Sequence, residues 1–171
     1  MNILITGKPG VGKTTLIQKI VEKVTLSCQG FYTREIRDNQ ENRLGFEIIT
    51  LDGKTALLAH VEQLTSHRLG KYFVNVDNIN RVIVPCIEQA IEQAQVVIID
   101  EIGKMELFSP QFQQVVLQAL ASSKKVLGTI TLANLAFIKQ IKSRPDVMLV
   151  KLRQDNRKRI YQYIFDFLAE N

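Results

Sequence analysis

Gly7-Lys8-Pro9-Gly10-Val11-Gly12-Lys13-Thr14 matches the spacing G-x-x-x-x-G-K-S/T, and its two flanks decide how it is read. In front stands Asn2-Ile3-Leu4-Ile5-Thr6, a short run rich in aliphatic residues, which predicts a strand. Behind it Ile17, Ile20, Val21 and Val24 recur at the spacing of one buried helix face. Strand, glycine loop and helix follow in the order a phosphate-binding loop requires, whereas a chance glycine-rich turn has no reason to carry both flanks. Small residues let the backbone wrap closely and turn its N–H groups inward. The helix start adds unpaired N–H groups and the positive end of its dipole. In that setting Lys13 reaches the β- and γ-phosphates of a nucleotide, and the Thr14 hydroxyl is placed to ligate Mg²⁺.

Working outward, residues 30–37 and 44–51 are rich in β-formers and flank the polar cluster Asp38-Asn39-Gln40-Glu41-Asn42. Asp52-Gly53 is a hairpin signal, with a third short strand expected over residues 54–59. Residues 30–59 therefore read as an antiparallel meander inserted beside the nucleotide-binding core. Tyr72-Phe73-Val74 predicts one more short strand. Beyond it the chain alternates between periods. Ile79, Ile83, Ile87, Ala90, Ile91 and Ala94 trace a helical face, which Pro85 must either kink or start. Val96-Val97-Ile98-Ile99 is a continuous aliphatic run, the mark of a strand buried on both faces. Ser109-Pro110 forms an N-cap and first-turn pair ahead of the stripe Phe112, Val115, Val116, Ala119, Leu120. Strands are expected at 126–130 and 147–152 and a helix at 134–142. A last helix is expected to be capped by Asp155, with Ile160, Ile164, Phe167 and Leu168 inward. This alternation predicts an α/β fold: a mostly parallel, doubly wound sheet flanked by helices, in a single domain over residues 1–171.

Composition narrows the function class. A chain of 171 residues buries roughly 70% of its unfolded surface, so a core needs no metal or disulfide support. Cys28 and Cys86 lie far apart and outside any C-x-x-C spacing, as free thiols of a reducing compartment would. No apolar run approaches the roughly 20 residues that span a bilayer, and Met1 leads straight into a strand. A cytoplasmic protein without membrane partners or a cleavable signal is expected. The net charge of +5 suits a polyanion, either a nucleoside triphosphate or a nucleic acid. The basic runs Lys124-Lys125 and Arg157-Lys158-Arg159 are short and lack interleaved aromatic residues, so nucleic acid is not the favoured partner.

The second chemical centre is Asp100-Glu101, directly after the aliphatic strand, where a doubly wound sheet opens its ligand crevice. An Asp there can hold Mg²⁺ together with Thr14. A Glu beside it can orient or deprotonate an attacking water, which is general-base work. Asp100-Glu101-Ile102-Gly103 also fits the D-x-x-G of GTP switch proteins, but no N/T-K-x-D tetrapeptide follows to read guanine. The nucleotide-contacting set is read as Gly7, Lys8, Pro9, Gly10, Val11, Gly12, Lys13, Thr14 and Thr15 with Asp100, Glu101 and Gly103. Lys13 and Glu101 are the catalytic candidates; Thr14 and Asp100 are the metal ligands.

In these blocks the chain resembles the THEP-type nucleoside-triphosphatases, the phosphate-loop family that includes the cancer-related nucleoside-triphosphatase. The matching stretches are residues 7–15, 30–37 and 45–53, then Ile99-Asp100-Glu101-Ile102-Gly103-Lys104-Met105-Glu106-Leu107, the most distinctive. Gly128-Thr129-Ile130 and Asn156-Arg157 match weaker positions. The chain departs from the pattern after Tyr72, where Asn78-Ile79-Asn80 replaces an aromatic–acidic pair. The resemblance implies Mg²⁺-dependent hydrolysis of nucleoside 5′-triphosphates (ATP, GTP, CTP, UTP) to diphosphate and phosphate, with broad base tolerance. A monomer is expected.

Several side chains stay open at this level. Arg34, Arg37 and Arg43 are candidate arginine fingers or surface residues, and Asn156 and Arg157 either flank the base or face solvent. Lys104 and Glu106 either support the site or pair with each other, while His60 and His67 lack metal-like spacing. The rival functions are a nucleotide or nucleoside kinase with residues 30–70 as its lid, a nucleic-acid-stimulated ATPase, and a regulatory nucleotide-binding module.

Overall fold

Aliphatic residues alternate between two faces along every central strand, and two helical layers cover them. The computed structural model describes residues 1–169. Its strands are β1 (Asn2–Thr6), β2 (Cys28–Arg37), β3 (Arg43–Thr50), β4 (Thr55–His60), β5 (His67–Leu69), β6 (Tyr72–Val74), β7 (Val96–Ile102), β8 (Lys125–Ile130) and β9 (Val147–Lys151). They form one sheet in the order β5-β6-β4-β3-β2-β7-β8-β1-β9. From β2 to β9 all neighbours are parallel, and from β2 to β5 all are antiparallel. The expected α/β architecture is present, with the antiparallel meander beside the parallel core as expected. Strand β2 pairs with β7 from Cys28↔Val96 to Tyr32↔Asp100, so the antiparallel strands extend the same sheet.

Among the described residues six α-helices complete the fold: α1 (Lys13–Val21), α2 (Val76–Asn78), α3 (Val84–Gln93), α4 (Pro110–Ala121), α5 (Ala136–Lys142) and α6 (Arg157–Ala169). The period of two sorts the core. Ile3, Ile5, Val96, Ile98 and Leu127 pack with Leu16, Ile17 and Ile20 of α1 and Ile164 and Leu168 of α6. Leu4, Val97, Ile99, Val126 and Ile130 pack on the other face with α3, α4 and α5. Each such buried aliphatic contributes about 1.5–3 kcal/mol.

Local detail departs from expectation in places, for identifiable reasons. Pro85 lies in the first turn of α3, as one of its two readings expected, although the chain before it is already helical. Residues 76–93 stay helical, and a π-helical turn over Ile79–Ile83 joins α2 to α3 just before the proline, whose missing N–H and bulky ring disturb the regular ladder. Asp155 does not cap the last helix. Asn156 is the buried residue there: its Oδ1 accepts from Arg153 N at 2.8 Å and its Nδ2 donates to the Lys151 carbonyl at 3.0 Å, while Asp155 pairs outward with Arg153. Strand β5 lies in a stretch whose sequence pattern pointed to none. The divergent Asn78-Ile79-Asn80 segment ties elements together: Asn78 Nδ2 donates to the Leu57 carbonyl at 2.8 Å, and Asn80 Oδ1 accepts from Ser109, the cap of α4.

Candidate functional site

The loop between β1 and α1 turns where Gly12, at φ +93°, caps α1 in the left-handed region that favours glycine. No side chain caps α1, so its first-turn N–H groups face the loop mouth. Gly7 serves close approach instead: a Cβ there would come within 2.8 Å of the Leu152 carbonyl, on the segment following β9. Lys13 Nζ donates to the Gly7 carbonyl at 3.2 Å, which holds the ammonium over the loop.

Alternation along β7 and β8 explains what faces this loop. Ile98 and Leu127 point toward α1, so Asp100 and Thr129, two residues further on, point the same way. Thr129 Oγ1 donates to Asp100 Oδ1, and the Thr14 hydroxyl lies against the same carboxylate. Asp100 is 1% exposed, and its Oδ2 has no hydrogen-bond partner among the described residues. Burial raises the Asp100 pKa, opposed by the hydroxyls of Thr129 and Thr14 and by the Lys13 charge. Glu101 follows where the β7–β8 register breaks between Ile99 and Ile102. Its pKa is also raised, by burial first, with Lys13 lowering it and Asp100 raising it. The Asp100–Glu101 peptide is cis.

Predicted residues therefore meet from the loop after β1, the first turn of α1 and the end of β7, and Thr129 joins them from β8. A buried carboxylate oxygen that lacks a donor and lies beside a hydroxyl suits a hard cation that keeps several waters, so the fit to Mg²⁺ is good. Among the described residues no group of three His, Cys, Asp or Glu side chains could hold a metal, so the remaining ligands would come from water and phosphate. Thr129 is a contributor that the reading of the sequence passed over. The signal was available: a hydroxyl near the end of a strand, among Val126, Leu127, Gly128 and Ile130, in phase with the face that Asp100 uses.

Beside the loop lies a cleft of about 550 Å³ between α1 and α6, lined by Gly10, Gly12, Lys19, Arg157, Lys158 and Tyr161. Arg157 spans its rim and donates to the Val11 carbonyl, with its guanidinium against Gly12. Tyr161 stacks on Phe165 at 5.9 Å between ring centroids. A smaller hollow of about 110 Å³, lined by Thr50, Lys54, Arg81 and Cys86, opens elsewhere, at the start of β2. Of the two Asn156-Arg157 readings, Asn156 goes to the backbone and Arg157 to the cleft.

A family model described as NTPase matches residues 2–165. The chain belongs to this NTPase family. It is 43% identical to the nucleoside-triphosphatase THEP1 of Thermotoga maritima over 171 residues, covering 100% of this chain and 97% of that protein. It is 40% identical to the cancer-related nucleoside-triphosphatase homolog of Mus musculus, covering 91% of this chain and 90% of the relative. The crystal structure of THEP1 from Aquifex aeolicus superposes with a TM-score of 0.91 at 38% identity, covering 99% of this chain and all of that one.

Within this NTPase fold the remaining candidates separate. Arg34 pairs with Glu47 at 2.6 Å, Arg43 pairs with Glu35 at 2.6 Å, and Arg37 pairs with Glu35, so all three arginines are engaged on the antiparallel strands. Lys104 is exposed and Glu106 buried, and no ion pair joins them among the described residues. His60 accepts from the Glu62 N–H and His67 packs edge-on to Phe108. The basic runs do not merge into a stripe. Lys125 donates to the Phe167 and Leu168 carbonyls at one end of α6, and Arg157 stands at the other, about 20 Å away. Cys28 and Cys86 are free thiols, each pushed up to about 11 by burial. No helix among the described residues is long and apolar enough to cross a membrane.

Proposed function

We propose that this NTPase-family chain hydrolyses nucleoside 5′-triphosphates to diphosphate and phosphate, with Mg²⁺ as cofactor and broad base tolerance. The observation that carries the reading is the buried Asp100 carboxylate, held by Thr129 and Thr14 with one oxygen unpartnered, next to Glu101 and within the field of Lys13. The relatives are named nucleoside-triphosphatases, which supports the same activity here.

In this reading backbone N–H groups of the loop and of the first turn of α1 hold the phosphate oxygens with Lys13, which offsets charge that develops on the β–γ bridging oxygen. Thr14 and Asp100 hold Mg²⁺, which when bound supplies further neutralisation of the phosphates. Glu101 orients a water in line with the γ-phosphorus and takes its proton. The water oxygen–phosphorus bond forms as the bond to the bridging oxygen breaks. Gly103 lies beside Glu101, the position of a Cβ there being 3.5 Å from the Glu101 side chain. The nucleoside extends into the α1–α6 cleft, where the Tyr161 ring and the Arg157 guanidinium offer faces that any base can stack on. Gln162, which also lines the cleft, spends its amide on Asp166 at 2.7 Å, consistent with weak base discrimination. All these residues stand on one chain, so a monomer suffices.

Glu101→Gln tests the reading. The variant is expected to bind ATP with unchanged affinity and to lose turnover by about 100-fold or more. Phosphate release measured over ATP, GTP, CTP and UTP, with Mg²⁺ and with chelator, is the assay, and unimpaired release by the variant would defeat the assignment.

A further inference from the structure

Glu106 is a buried carboxyl that the mechanism above leaves without work. It sits in the short 3₁₀ turn Glu106–Phe108, 4% exposed, just past the stretch that carries Asp100 and Glu101. A Cβ built on Gly103 would lie 2.7 Å from Glu106 Oε2 and 3.5 Å from both Cγ and Cδ of Glu101. The two carboxyl-bearing side chains thus converge on the single gap left by a missing side chain. The backbone N–H groups of Glu106 and Gly103 lie against the Glu106 carboxyl. The charged groups around it are acidic: Asp100 and Glu101 face it from β7, and α4, packed against the same turn, carries no titratable side chain. Lys13 acts on Asp100 and Glu101 from α1, and Lys104 points to solvent.

We propose that Glu106 is a positioning residue for Glu101: its carboxyl fills the gap above Gly103 and fixes the direction in which Glu101 faces the attacking water. The proposal rests on the hydrolytic reading above. Burial and the neighbouring carboxylates push Glu106 up to about 8, so it keeps its proton at neutral pH. As a neutral acid it has an O–H to offer toward Glu101, whereas an ionised Glu106 presents only a like charge. Gly103 leaves the gap open: a Cβ there would press on Glu106 Oε2 and push that carboxyl out of its place beside Glu101. A carboxyl that served only its two backbone N–H groups would have no bearing on Glu101.

Steady-state phosphate release with ATP and Mg²⁺ tests this, with Glu106→Ala, Glu106→Gln and Gly103→Ala compared against the unsubstituted chain from pH 6 to 9.5. Glu106→Ala and Gly103→Ala should each lower kcat by about 10- to 100-fold, the scale of a displaced catalytic group, and leave KM within about twofold. Glu106→Gln keeps a neutral donor and should rescue kcat to within about threefold of the unsubstituted chain. It should also abolish the decline in kcat above pH about 8 that ionisation of Glu106 imposes. Calorimetric binding of a non-hydrolysable ATP analogue checks that each variant is folded, and Gly103→Ala carries the test where Glu106→Ala is not. Wild-type kcat in the folded truncation or in Gly103→Ala, or an alkaline decline that persists in Glu106→Gln, would overturn the proposal. Absence of phosphate release by the unsubstituted chain with every nucleotide would instead remove the hydrolytic reading, and this one with it.

Discussion

Thr129→Val isolates the part of the site most open to calculation. Thr129 is fully buried near the end of β8, and its hydroxyl donates to the Asp100 carboxylate, with a larger effect than the Thr14 hydroxyl. A hydrogen bond to a charged group contributes about 1.5–3 kcal/mol, and valine removes it with almost no change of volume. Without that donor the buried carboxylate shifts further toward its protonated form, because burial already raises its pKa and Thr129 is the first influence opposing the rise. A metal must displace that proton. Mg²⁺ binding should therefore weaken by about 10- to 150-fold at pH 7, the same energy expressed as an equilibrium constant. Raising the pH should recover part of the loss, since fewer protons compete. Thermal stability should change little, because an unpaired Asp100 can take up a proton instead of keeping a buried charge. The measurement is phosphate release against free Mg²⁺ at saturating ATP, paired with calorimetric Mg²⁺ titration of the complex with a non-hydrolysable analogue. Thr129→Ser, which keeps the hydroxyl, serves as control. A Mg²⁺ midpoint for Thr129→Val within about twofold of the unsubstituted chain would refute the assignment of Asp100 as the metal carboxylate, given the scale of the lost bond.

Three further outcomes can be checked. Gly30→Ala should lower stability by about 3 kcal/mol or more, because Gly30 has φ +136° and a Cβ there would run into the Ile98 carbonyl of β7; a melting temperature lowered by about 6–12 °C is expected, and an unchanged one would speak against that contact. Tyr161→Ala should weaken binding of ATP, GTP, CTP and UTP alike by about 1–3 kcal/mol through lost stacking, and selective loss for one base would contradict a non-reading cleft. Glu106→Gln should raise stability at alkaline pH: Glu106 goes from an ordinary 4.5 to about 8 on folding, so the folded form holds the proton more tightly. The wild type therefore loses stability as pH rises from about 4.5 toward 8, by up to about 5 kcal/mol, while glutamine does not. The two should melt together near pH 5 and diverge at pH 9, and identical melting at both would count against the buried acid.

The phosphate loop and the Asp100-Glu101 pair were legible because their signals are local: spacing, flanking periodicity and a run of four aliphatic residues. Helix α4 was legible for the same reason, since Ser109 accepts from the Phe112 N–H at 3.0 Å as a cap should. Sheet order was not. Nothing within β8 says that it lies between β1 and β7, yet that pairing puts the Thr129 hydroxyl on Asp100. The same limit hid the β2–β7 ladder, which joins positions some 68 residues apart, as in Cys28↔Val96. At the last helix, two neighbouring residues were both plausible caps, and only the fold turned Asn156 inward and Asp155 out. Glu106 was visible as part of a distinctive stretch, but its burial depends on how the 3₁₀ turn folds back over Gly103.

Sheet order also bears on the choice between water and a second substrate as phosphate acceptor. A kinase reading of this chain needs residues 30–70 to open and close as an arginine-bearing lid. Those residues instead begin with a strand laddered to β7, the strand that carries Asp100, from Cys28 to Tyr32. Moving β2 away would break the hydrogen bonds that hold the Asp100 strand against its neighbour. The arginines such a lid would bring are tied to Glu35 and Glu47 on the same strands. Exposed pairs of this kind contribute little each, so the ladder rather than the pairs resists the motion. A fixed wall beside Glu101 suits a small acceptor that arrives by diffusion, which water is. Phosphate release should then proceed at one rate whether or not nucleosides or nucleoside monophosphates are added. Release that falls as a phosphorylated acceptor accumulates would show that β2 and its neighbours do open, and would return the chain to the kinases.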